Sequence, residues 1–211
     1  MSEWTVVRRA YRALEPLHSF VYFAPESEAE LLGAGLRPGR MPYLAQRSAA
    51  MGPVGAAVVV ATFYNFAPAA VARSVPRAWT LAAPADVLAA RWRAVHAALG
   101  RLLEGADPAE VDELAALAGR VAAACRPEGR PLFAAHAEVE VPDDPLARLW
   151  QAATLLREYR GDGHVAALVT AGVGGLEALV THTAAGRGFE AGFAAASRGW
   201  TPEEWEQAVE D

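Results

Sequence analysis

Apolar positions recur with a helical period along almost the whole chain. Within residues 86–103, Val87, Leu88, Trp92, Val95, Leu99, Leu102 and Leu103 trace one stripe, the mark of a helix that buries one face. Asp107-Pro-Ala-Glu110 supplies an N-cap, an N1 proline and a capping-box glutamate in turn, and so opens a further helix. That helix is expected to bury Val111, Leu114, Leu117, Ala118, Val121 and Cys125. Its partner is expected within the chain, the alternative being a helix of a second subunit in a homodimer. Asp144-Pro145 opens another helix, turning Leu146, Leu149, Trp150, Ala153 and Leu156 inward, and Thr201-Pro-Glu-Glu204 is a second capping box. His136-Ala-Glu-Val-Glu-Val141 alternates like a strand. A lone strand has no partner, so the segment reads as extended linker or frayed helix. The pattern predicts an all-α, multi-helix bundle-like fold, with a helical domain over residues 1–141 and a C-terminal helical part over 144–211 packed on it.

From Ser48 to Ala72 no residue is charged, and the pair Tyr64-Asn65 sits inside the run. The run is expected to be buried. An amide and a phenol there each need a partner, because an unpaired buried polar group costs about 1–3 kcal/mol. A membrane span needs about 20 continuous apolar residues. The strongly apolar part covers only 54–63, and Pro53, Asn65 and Pro68 interrupt the remainder. The reading is therefore a core segment and no membrane. The N-terminus lacks the charged-then-apolar order of a signal peptide, and Cys125 is the only cysteine, so no intrachain disulfide forms and a cytoplasmic location is expected.

Composition narrows the function classes. The 211 residues are 53% apolar, enough for a sizeable core. All 19 basic residues are arginine. Without lysine the chain cannot be a P-loop nucleotide-binding protein, a pyridoxal phosphate enzyme or a protein kinase. A formal charge of −6 argues against a surface that coats nucleic acid. His18, His96, His136, His164 and His182 form no HExxH pair, and His136-Ala-Glu138 lacks the Pro-Cys-x-x-Cys half of a zinc deaminase. No metal is expected, and no motif names a cofactor.

The densest polar cluster is Arg157-Glu-Tyr-Arg-Gly-Asp-Gly-His164. One reading has Gly161 ending a helix and Asp162 capping the next. The other sees Arg157, Arg160 and His164 converging on an anion, with Asp162 orienting His164 as a general base. A second candidate is Glu15-Pro-Leu-His-Ser-Phe-Val-Tyr22, where His18 and Tyr22 share a helical face. Gly172-Val-Gly-Gly-Leu176 has helix-turn-helix spacing, but the following helix carries one acid and no arginine, and so lacks the usual means of gripping phosphates or guanine. A faint echo between residues 37–45 and 126–134 suggests duplication, pairing a break at 65–68 with one at 160–163 across a shared cavity.

Glu15-Pro-Leu-His18, Ala61-Thr-Phe-Tyr-Asn-Phe-Ala-Pro68, Gly129-Arg-Pro-Leu-Phe133, residues 155–164 and Arg198-Gly-Trp-Thr-Pro-Glu-Glu-Trp205 together resemble an actinobacterial family known as helix-turn-helix or SalK-like proteins. The resemblance covers nearly the whole chain. It implies an all-helical fold with a winged-helix-like C-terminal part and carries no catalytic residue across. Similar proteins continue with further helices and a turn, so an incomplete winged helix is expected here, with DNA binding disfavoured.

The leading reading is a helical protein that binds a small, anionic molecule in a pocket lined by His18, Tyr22, Tyr64, Asn65, Arg157, Arg160 and His164. A ligand-responsive transcriptional regulator is the first alternative. An enzyme using His164 and Asp162 on an anionic substrate is the second.

Overall fold

The computed structural model describes residues 2–186 and 189–210, and its regular elements among them are helices. Thirteen α-helices follow in order: α1 (Glu3–Phe23), α2 (Pro25–Gly33), α3 (Arg40–Ser48), α4 (Ala56–Phe63), α5 (Pro68–Ala72), α6 (Val75–Leu81), α7 (Pro84–Leu102), α8 (Pro108–Ala123), α9 (Pro131–Ala137), α10 (Pro145–Thr170), α11 (Gly175–Ala184), α12 (Ala191–Arg198) and α13 (Pro202–Glu210). Proline opens α2 and each of α5 to α10, a position where its missing N–H leaves nothing unsatisfied. The acidic caps act where the sequence puts them. Asp107 accepts from the Ala109 amide at 2.9 Å and Asp144 from the Leu146 amide at 3.1 Å. Thr201 and Glu204 exchange reciprocal bonds of 2.9 and 3.2 Å. No single helix is long and apolar enough to cross a membrane.

Among the described residues the core has three clusters. Leu31, Met41, Ala78 and Val87 join α2, α3, α6 and α7; Val21, Val95, Leu99 and Trp150 join α1, α7 and α10; Leu44, Val59, Phe63, Phe66, Val75 and Leu132 join the segment from α3 to α6 with α9. α10 packs against α1, α7, α8 and α9, while α11, α12 and α13 pack on one another.

Residues 131–137 are helical, because Pro131 starts the turn and the Asp162 carboxylate accepts from the Phe133 amide at 2.9 Å, and 138–141 leave the helix, as a frayed end followed by linker; three other expectations need correction. His136 is fully buried on that helix, with Nε2 3.2 Å from the Arg47 carbonyl. On α8 the buried face is Ala115, Ala118 and Ala122. These alanines let it lie close against α10, which turns Leu114, Leu117 and Val121 to solvent. The charge-free run is only partly buried: Val59, Phe63, Phe66 and Val71 are inside, whereas Val58 is exposed. Finally, α10 does not break at 160–163, so the proposed correspondence with the break at 65–68 is absent.

The glycines there serve close approach instead of a turn. A Cβ on Gly163 would overlap the Arg130 guanidinium, which lies 3.8 Å over the Tyr159 ring and donates to the Tyr159 carbonyl. A Cβ on Gly161 would sit 3.2 Å from Arg157 Nη1. Glycine in a helix interior costs about 1 kcal/mol against alanine, and here it admits two guanidinium groups against the helix. Past the end of α10 and its C-cap Ala171, Gly172 takes the left-handed region at φ 71°, and the amides of Gly172 and Val173 donate to the carbonyls of Val169 and Leu168. That Schellman geometry turns α11 by 105° from α10.

Candidate functional site

The polar pair in the charge-free run is a joint. Tyr64 ends α4 at φ 60° and ψ −52°, the one non-glycine residue with positive φ among the described residues. Its hydroxyl donates to the Val173 carbonyl at 2.6 Å, which satisfies the phenol. A Cβ on Gly175 would overlap the Tyr64 carbonyl, so glycine permits this approach. Trp200 Nε1 donates to the Asn65 carbonyl at 2.9 Å, and the Ala67 amide donates to the Arg198 carbonyl at 3.0 Å. The segment 63–68 thus fastens the α10–α11 turn and the α12–α13 joint to the remainder of the fold.

Beside this joint lies a cavity of about 300 Å³. Tyr11 of α1, Tyr43 and Arg47 of α3, Phe63 to Phe66, Arg157, Glu158, Arg160, Asp162 and His164 of α10, Ala178, Leu179 and His182 of α11, and Arg198 line it. Tyr64, Asn65, Arg157, Arg160 and His164 are therefore brought around one space. His18 and Tyr22 are not. Both are buried in the core, where His18 stacks on Trp150 at 5.8 Å and meets Tyr22 edge-on at 5.0 Å. The shared face of α1 is used for packing against α10. Burial there holds the imidazole well below its ordinary pKa and pushes the phenol up.

The cavity floor is ionic. Arg47 Nη2 contacts both Glu158 oxygens, at 2.9 and 3.2 Å, and Arg157 Nη1 reaches Oε2 at 2.6 Å. Burial alone would raise the Glu158 pKa, but Arg47 and Arg157 outweigh it and hold the carboxyl far below its usual range. Arg47 also donates to the Tyr43 hydroxyl at 3.1 Å and lies 4.4 Å from the Phe63 ring centre. Burial opposes ionisation of the Tyr43 phenol, and the guanidinium groups of Arg47, Arg198 and Arg157 overcome it, so that its pKa is lowered. Arg160 has Glu15 at 3.9 Å at the rim.

Arg198 differs from the others. Its guanidinium sits 4.9 Å over the Phe66 ring, donates to the Ser197 hydroxyl at 3.2 Å and makes no ion pair among the described residues. Burial lowers its pKa, and Arg47 and Arg157 add to that by repulsion. Arg47, Glu158, Tyr43 and Arg198 do not announce themselves in the sequence. The available signals were Arg47 four residues after Tyr43, immediately before a charge-free run, and Glu158 inside the cluster already noted.

The Asp162–His164 dyad does not form. On a continuous helix, residues two apart point in different directions, and the Asp162 carboxylate is taken by the Phe133 amide. Burial raises its pKa. His164 is lowered by partial burial and by Arg160 and His182, which favours its neutral form. Among the described residues no three His, Cys, Asp or Glu side chains come together as a metal site requires.

The helix-turn-helix spacing is real: α10, the turn at 171–174 and α11 follow in order. α11 turns Ala178 and Leu179 toward the cavity and leaves Glu177, Thr181 and Ala184 exposed. No curated protein and no solved structure matches the chain. A model of the helix-turn-helix family matches residues 7–211, and the chain belongs to that family.

Proposed function

We propose that this protein binds a small anionic molecule in the cavity between α3, the Phe63–Phe66 segment, α10, α11 and Arg198. One observation carries the reading. Two guanidinium groups, Arg47 and Arg157, share the single carboxylate of Glu158, and Arg198 faces the same space without an acid. A partly buried cation without a counter-charge is costly, and an anion would relieve that cost. The aromatic wall of Tyr43, Phe63 and Phe66 suits an anion with an apolar body.

Family membership favours a second reading, that of a ligand-responsive regulator of transcription. α11, the helix after the turn, forms one wall of the cavity, so a bound molecule would bear on its position. Its exposed residues carry no arginine, which weighs against direct reading of DNA by this helix.

Native mass spectrometry of the purified protein beside the denatured sample detects any retained molecule. Titration with sodium benzoate, inorganic phosphate and neutral benzamide, followed by thermal denaturation, measures preference for charge. Stabilisation by an anion and not by benzamide is expected, with the affinity falling about tenfold or more in Arg198→Gln. Equal response to benzamide, or no loss in Arg198→Gln, would count against the reading.

A further inference from the structure

The cavity lies on a seam between two parts of the fold. α11, α12 and α13 pack on one another. Arg40, Asn65 and Ala67 hold this unit to the remainder by hydrogen bonds: Arg40 donates to the Ala196 and Ser197 carbonyls, Trp200 to the Asn65 carbonyl, and Ala67 to the Arg198 carbonyl. Ala178, Leu179, His182 and Arg198 line the cavity from the unit, and Arg47 and Arg157 line it from the remainder.

Like charges therefore meet at the seam. Arg198 is the last residue of α12 and makes no ion pair among the described residues, while Arg47 and Arg157 share one carboxylate. Tyr43 stands on the same side as Arg47. Its hydroxyl accepts from Arg47 at 3.1 Å and donates to nothing among the described residues. The Tyr43 ring lies 5.9 Å from the Phe66 ring, and the Arg198 guanidinium lies 4.9 Å from that same ring. An unused O–H donor and an unpaired cation thus flank one aromatic ring, each from a different part of the fold.

We infer that a carboxylate ligand is the counter-ion this seam lacks: it bridges Arg198 to the Tyr43 hydroxyl and Arg157, and so clamps α11–α13 onto the remainder. Without the anion, repulsion of Arg198 by Arg47 and Arg157 works against closure. With it, both sides are attracted to one shared charge, in a site where partial burial strengthens the attraction. Coupling runs both ways, so whatever the unit adds to ligand affinity, the ligand adds to attachment of the unit. This clamp presupposes the anion reading above and adds to it the part of the fold that the anion controls.

Hydrogen exchange of the full chain at constant ionic strength reads the attachment of α11–α13, and calorimetric titration with sodium benzoate reads binding. Benzoate at about ten times its dissociation constant should slow exchange in α11–α13 about tenfold and leave α7 unchanged. Tyr43→Phe should weaken benzoate binding about tenfold or more. Arg198→Glu supplies the missing negative charge from within. With its fold verified by circular dichroism, its α11–α13 should exchange without benzoate as slowly as the liganded wild type does. Benzoate that binds without slowing exchange in α11–α13 overturns the clamp and leaves the anion reading standing, as does a folded Arg198→Glu that exchanges like the unliganded wild type. If neither benzoate nor inorganic phosphate binds, the anion reading falls and the clamp falls with it.

Discussion

Arg47 and Glu158 meet at 2.9 Å at the floor of the cavity, with side chains only 5% and 1% exposed. The pair joins α3 to α10 across most of the chain, and Arg157 completes it from the same turn as Glu158. Removing one member of a buried pair leaves the other charged and unsatisfied, which costs about 3–5 kcal/mol. Glu158→Gln should destabilise the protein by that order, because two guanidinium groups lose their carboxylate together. Equilibrium urea denaturation measures it.

The Tyr64–Val173 bond predicts a graded pair of variants. Tyr64→Phe removes a hydroxyl from a half-buried acceptor and should cost about 1–2 kcal/mol. Gly175→Ala should cost more, since its Cβ would overlap the Tyr64 carbonyl and force the joint apart. In hydrogen exchange, both should increase exchange in α11 to α13 while leaving α7 protected.

Gly163→Ala separates helix propensity from packing. Propensity alone predicts stabilisation by about 1 kcal/mol. The place of the new methyl group is taken by the far end of the Arg130 side chain, which can swing aside but gives up its contacts with Tyr159, so the gain should be largely cancelled. Combining it with Arg130→Ala should restore the gain that propensity predicts. Thermal denaturation of the two variants measures both.

Stability should fall with acid earlier than carboxylates alone would dictate. Burial lowers the His136 pKa from 6.5 to about 3, with Arg91 and Arg47 adding to the shift and Glu158 opposing it; His18 is lowered by burial as well. Below pH 6.5 the unfolded chain takes up protons that the folded chain refuses. The contribution is therefore complete above that pH and is lost as pH falls toward 3, at about 1.4 kcal/mol per pH unit for each histidine. His136→Gln should flatten that part of the profile in denaturation midpoints measured from pH 7 to pH 4.

Much of the helical framework is legible without a structure. Asp107-Pro108, Asp144-Pro145 and Thr201 to Glu204 mark helix starts through local hydrogen bonds that their own side chains make. The turn at Gly172–Gly174 is equally local, and five of the seven candidate ligand residues lie within reach of one another because two short segments carry them. The remaining features depend on contacts between distant segments. Gly161 and Gly163 look like punctuation in sequence, and only the side chains crossing them show that they are clearances inside a continuous helix. His18 could have faced a cavity or a core, and Trp150, far along the chain, decided for the core. Alanine-rich α8 satisfied two apolar faces equally well by period, and its approach to α10 selected the alanine face. Period and capping act over a few residues, so the amino-acid order determined where helices form. Which face is buried, and which arginine finds a carboxylate, is an energy of tertiary packing, and only the folded chain decides it.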